Sequence, residues 1–79
     1  MKVYPVPATQ QVTLALPSSN ESLQLVLLDM NGKQVMSRKV LAGDSEYVLN
    51  VSGLRSGVYM ISLFNNEGVW SGKLIRAAE

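Results

Sequence analysis

"GLRSGVYMISLF", residues 53–64, decides how this chain is read. Beyond Gly57, the residues Tyr59, Ile61 and Leu63 recur with a period of two, which places them on one face of an extended strand. The turn before them is bracketed by Gly53 and Gly57, and glycine permits a tight backbone there. Val51 and Leu54 are expected to drop into a core at this corner. Leu54 would plug the open end of a sandwich where the chain crosses over.

Working outward, the same period continues. "QVTLAL" (11–16) sets Val12, Leu14 and Leu16 against Gln11, Thr13 and Ala15. "LQLVLLDM" (23–30) aligns Leu23, Leu25 and Leu27 and has Val26 and Leu28 opposite, the mark of a strand inside a sheet or partly covered on its outer side. Asn31-Gly32 follows, the preferred pair for a two-residue type I′ hairpin, whose central positions both need φ > 0. "KQVMSRKVL" (33–41) is the return strand, and Ala42-Gly43-Asp44 turns the chain again. "EYVLNV" (46–51) alternates Tyr47, Leu49 and Val51 with Val48 and Asn50. Asn65-Asn66-Glu67-Gly68 is a second hairpin turn, leading into "VWSGKLIR" (69–76). "KVYPV" (2–6) is a short first strand that Pro5 and Pro7 confine to an edge, because proline cannot donate to a ladder. About seven strands spaced by about 8–12 residues predict an all-β fold, an immunoglobulin-like antiparallel β-sandwich. No helical stripe, internal repeat or low-complexity segment interrupts it, so residues 1–79 are read as one domain.

The chain has 79 residues, 47% of them hydrophobic, and contains neither cysteine nor histidine. Disulfides are excluded and the usual metal ligands are missing, so packing alone must hold the domain together. The net charge is +1, from seven Lys and Arg against six Asp and Glu. The cations Lys2, Lys33, Arg38, Lys39, Arg55, Lys73 and Arg76 are scattered, which argues against nucleic acid. Arg38 and Lys39 read as solvated strand positions. No apolar run nears the roughly 20 residues of a membrane span, and "MKVYPVPATQ" lacks the apolar region of a signal peptide. Without histidine or cysteine, the usual bases and nucleophiles of covalent catalysis are missing. Asp29, Asp44, Glu46 and Glu67 lie beside turns, where acids bond local amides or water. No enzyme and no cofactor are expected. "DMNGK" is only a faint calcium loop, and Asp29 is expected to brace the hairpin instead. Trp70, Tyr4, Tyr47 and Tyr59 could stack on sugars or bases, or serve as core and sheet residues. Trp70 is expected to cover Gly72.

Four motifs fall in order: "VYPVPATQQVTL", "LVLLDMNGKQV", "LNVSGLRSGVYMISL" and "GKLI". Together they resemble the C-terminal sorting domain of cargo proteins of the type IX (Por) secretion system of Bacteroidota, over essentially the whole chain. Tyr4, Pro5 and Pro7 match the opening motif, although Val6 stands where the family usually has asparagine. Asp29, Gly32 and Lys33 match the second motif, and Leu54, Gly57 and Tyr59 the third. These nine residues are expected to be mainly structural. Lys73, Leu74 and Ile75 match the terminal strand, and Ala77-Ala78-Glu79 run past the family's usual ending.

The resemblance implies an address for a covalently fused N-terminal passenger. The partners it implies are the type IX machinery, with its outer-membrane translocon, shuttle and sortase. The implied route is the periplasm in transit, then the cell surface or the medium, often with removal of the domain by a surface sortase. Lys73, Leu74, Ile75 and Arg76 are expected to be read by that machinery, since chain ends are accessible and the motif places a lysine there. Weak self-association through an edge strand is also expected. The alternative is an accessory immunoglobulin-like module for adhesion or carbohydrate binding, with Trp70 and the tyrosines as its contacts.

Overall fold

A computed structural model of the chain describes residues 2–4 and 10–77. Seven strands follow one another: β1 (Lys2–Tyr4), β2 (Gln11–Ala15), β3 (Leu23–Leu28), β4 (Gln34–Val40), β5 (Glu46–Asn50), β6 (Gly57–Asn65) and β7 (Gly68–Arg76). They form a three-stranded sheet of order β1-β2-β5 and a four-stranded sheet of order β4-β3-β6-β7, with every pairing antiparallel. The third and sixth strands lie inside the larger sheet, as in immunoglobulin-like sandwiches, and β4 joins that sheet rather than the smaller one. β1 is an edge strand, and it lies against β7 across the two sheets. Pro5 and Pro7 lie outside the described residues.

Period-two patterning delivers the core. Val12 and Leu14 of β2, with Leu49 and Val51 at the end of β5, face Leu23, Leu25 and Leu27 of β3 and Tyr59, Ile61 and Leu63 of β6. Val40 and Leu74 close the two flanks, and all these side chains are buried. Each buried aliphatic side chain contributes about 1.5–3 kcal/mol. A domain of this length needs nearly all of them, because it buries only about 60–65% of its unfolded surface.

The first hairpin differs from expectation. Among the described residues no non-glycine has a positive φ, so Asn31 cannot belong to a type I′ turn. Instead Gly32 N donates to Asp29 O at 3.0 Å, and Gly32 alone is left-handed, at φ 82°. This is a three-residue loop, a tight turn closed by one left-handed glycine. The Asp29 side chain selects it: its Oδ1 accepts from the Asn31 and Lys33 amides, both at 2.9 Å. Downstream the register of β3 on β4 shifts, so that Leu27 faces Met36 while Leu28 faces Gln34. The resulting bulge leaves Val35 outside the ladder and blunts the β4 edge, which also carries the exposed Arg38 and Lys39. The second hairpin is tighter, with Asn65 paired to Gly68 and the Asn65 Oδ1 accepting from Glu67 N at 2.7 Å.

At the 51–57 corner, Val51 is fully buried and Leu54 packs on the core, as expected. Gly53 contributes less than expected: its φ is not positive, and a Cβ there would meet nothing within 4 Å. Gly57 is the constrained position, at φ 153°. Gly57→Val is therefore expected to destabilise the domain by about 1–3 kcal/mol, the usual cost of a strained backbone. Arg55→Ala should change little, because that side chain is exposed. Equal urea midpoints for the two variants would show that the corner is not constrained.

Candidate recognition surface

The motif residues meet at one pole of the sandwich. Asp29, Lys33 and Val35 of the first hairpin line a shallow depression with Gly53, Leu54, Arg55 and Tyr59 of the corner. Gly57 at the start of β6 pairs with Arg76 at the end of β7, so the terminal motif reaches the same pole. Most of these groups are turned inward or occupied. Tyr59 is buried and its hydroxyl donates to Arg55 O at 2.7 Å, four residues upstream. A tyrosine near the start of the sixth strand that bonds back across the corner is a known brace of immunoglobulin-like sandwiches. The Asp29 carboxylate is held by the loop amides, as expected. Asp29, Leu54 and Tyr59 of the second and third motifs are thus engaged in the hairpin, the core and the corner, while Lys33 is exposed.

The terminal segment splits by strand alternation. Lys73 is exposed and Ile75 half-buried on the outer face, while Leu74 is fully buried and Arg76 is only 7% exposed. Arg76 Nε donates to Val51 O at 2.9 Å and Nη2 to Ser52 O at 3.2 Å, and Nη1 donates to Ala77 O. Arg76 thereby ties the last strand of the larger sheet to the end of β5 in the smaller one. Only Lys73 and Ile75 of the four present side chains to the outer surface.

The aromatic residues do not share a surface. Tyr59 is in the core, and Tyr47 and Trp70 are half-buried against it. Trp70 lies over Gly68: a Cβ on Gly68 would lie 3.2 Å from the indole ring. Tyr4, on the outside of β1, donates its hydroxyl to Glu46, and Lys2 Nζ sits 5.5 Å from its ring centroid. The bond to Glu46, together with partial burial and the carboxylate's charge, holds the Tyr4 phenol above its usual range. Among the described residues no three acidic side chains gather as a metal ion would need.

Sequence reading missed the asymmetry of the two outer faces. The smaller sheet follows the alternation rule except at Ala15 and Val48, with Lys2, Tyr4, Gln11, Thr13, Glu46 and Asn50 also pointing outward. The larger sheet breaks it. Val26 and Leu28 of β3, Met60 and Phe64 of β6, and Val69 and Ile75 of β7 all point away from the core. The signal lay in β3, apolar at every position but Gln24, and in the apolar Val58, Met60 and Phe64 of β6; the sequence alone could not say that no strand among the described residues packs on their second face. A family model described as "Secretion system C-terminal sorting domain" matches residues 2–77 of the chain. No curated protein matches it.

Proposed function

The chain belongs to the C-terminal sorting domains of type IX secretion cargo, and on that premise we propose that it carries a fused passenger through the periplasm and across the outer membrane as a folded address. A domain of this family implies contact with the type IX machinery and export to the cell surface or the medium. The family is not known for enzymatic activity. The finer course is our reading: the translocon and shuttle engage the folded domain, and a surface sortase then removes it. The family match carries this reading. The inward turn of the motif residues supports it, because what remains for a partner to read is the surface of a finished sandwich. Within the terminal strand, Lys73 and Ile75 are the residues to be read, while Leu74 and Arg76 hold that strand in place.

The test is a reporter bearing a signal peptide and residues 1–79, expressed in a host with a type IX system. Surface display is expected, against periplasmic retention of the reporter without the domain. Lys73→Glu should alter stability by no more than about 0.5 kcal/mol, as exposed substitutions do, while lowering display by reversing a charge at the contact. An intact reporter held in the periplasm would end the sorting reading. Full display of Lys73→Glu would remove only Lys73 from the contact.

A further inference from the structure

We infer that the contact made by the export machinery is not confined to the chain end but covers the outer face of the four-stranded sheet, and that its occupant is a protein surface with an apolar centre and carboxylates around it. This rests on the sorting reading and deepens it. Register places the residues side by side: Gln24 faces Phe64, which faces Val69; Val26 faces Ser62; and Leu28 faces Met60, which faces Lys73. Val58 faces Ile75 in the next row. Apolar side chains therefore stand on three neighbouring strands, in the rows on either side of a middle row in which Val26 faces Ser62 and Ser62 faces Ser71. Met60 is 45% exposed, Phe64 40% and Val69 73%. A sheet face left to water normally alternates to polar residues. Exposed apolar side chains gathered on one face in this number mark a place where something docks.

Charge selects the occupant. The outward strand positions of this face include Lys39 on one edge strand and Lys73 on the other, and among the described residues they include no Asp or Glu; at one corner Glu21, in the loop before β3, lines the same depression as Lys39 and Phe64, while Lys73 lies at the opposite edge. A second copy of the chain, laid face to face, would bring cations to cations around the apolar centre, and like charges across an interface are unfavourable. An anionic membrane is a poor match as well, since juxtamembrane recognition uses clusters of about 4–8 cations. An acid-rimmed apolar protein surface satisfies both features.

Val69 gives the cleanest test, because it is the most exposed of the patch, lies four residues from Lys73, and shares a cross-strand row with Lys39, with two strands between them. Val69→Glu and Val69→Lys remove the same apolar contact and differ only in the sign of the charge added. In the export assay, Val69→Glu is expected to reduce surface display by about tenfold or more, and Val69→Lys by several-fold less, the order that an acidic partner imposes. Met60→Ser and Phe64→Ser should each reduce display, while Val48→Ser on the opposite sheet should export like the parent. Urea midpoints of each isolated chain are compared with the parent. Equal display of the two Val69 variants, or a loss of display explained by lower midpoints, overturns the inference. So does parent chain that dimerises in light scattering and is made monomeric by Met60→Ser, which would make a second copy the occupant. Sedimentation of the parent with vesicles of phosphatidylglycerol would make it a membrane. Failure of the parent reporter to export refutes the sorting reading itself and is recognised separately from these outcomes.

Discussion

Deleting residues 73–79 is expected to unfold the domain, not merely to erase its address. The deletion removes Leu74, whose side chain is fully buried, together with the half-buried Ile75 and the inward Arg76. It also unpairs Gly57, Val58, Tyr59 and Met60 of β6 from Arg76, Ile75, Leu74 and Lys73. The loss of Leu74 alone, tested as Leu74→Ala, should cost about 2–5 kcal/mol. A chain of this length has only about 4–12 kcal/mol in total at typical values per residue. The full deletion adds lost ladder bonds and an opened core to that loss. Amide resonances of the truncated chain should collapse into the narrow range of an unfolded polypeptide, and Leu74→Ala should lower the urea midpoint markedly. A truncated chain that keeps dispersed resonances would show that β7 is dispensable to the fold. This matters for function as well. A truncated reporter that fails to reach the surface reports the loss of the domain, so recognition must be tested by single changes at outward residues such as Lys73 and Val69.

The fold was legible because strand period and burial agree at nearly every core position. Val12 and Leu14, Leu23 to Leu27, and Tyr59 to Leu63 alternate in the sequence and are buried in the same alternation in space. Turn chemistry was less legible. Asn31-Gly32 favours a type I′ turn taken by itself, but Asp29 two residues earlier offers the loop amides a carboxylate, and that bond stabilises a longer loop in which only Gly32 leaves the right-handed region. A local propensity lost to a side-chain capping bond.

The recognition surface was legible only in part, for a physical reason. Sequence motifs report residues that the fold constrains tightly, and here those include the hairpin acid, the corner glycine, the bracing tyrosine and the buried Leu74. A docking face asks only for apolar character and an absence of acids, which many residue types satisfy. It therefore leaves no motif. It shows instead as a departure from alternation in β3 and β6, and that departure gains meaning only when the topology leaves the face uncovered.

Arg76 ought to be the most costly polar residue to remove. Its position in the terminal strand suggested a surface group, yet its guanidinium is folded inward over the end of β5. There it donates to the carbonyls of Val51 and Ser52, the residues that begin the corner. Tyr59 holds the other end of the same corner through Arg55 O, and Leu54 N bonds Val51 O at 3.0 Å within it. The corner is thus pinned at both ends by neighbouring strands of the larger sheet. Arg76→Ala would strand buried carbonyls and open a gap, and it is expected to cost about 2–4 kcal/mol, since hydrogen bonds to charged groups contribute about 1.5–3 kcal/mol. Arg76→Lys should recover little, because an ammonium cannot reproduce the planar fork that spans two carbonyls. Arg76→Met separates packing from bonding by filling the volume without donors. If the corner is a single unit, Arg76→Ala and Tyr59→Phe should be coupled, with the double variant losing less stability than the sum of the two single losses. Strict additivity of the two would mean that the grips act independently. An Arg76→Ala midpoint matching the parent would mean that the guanidinium is incidental to the stability of the fold.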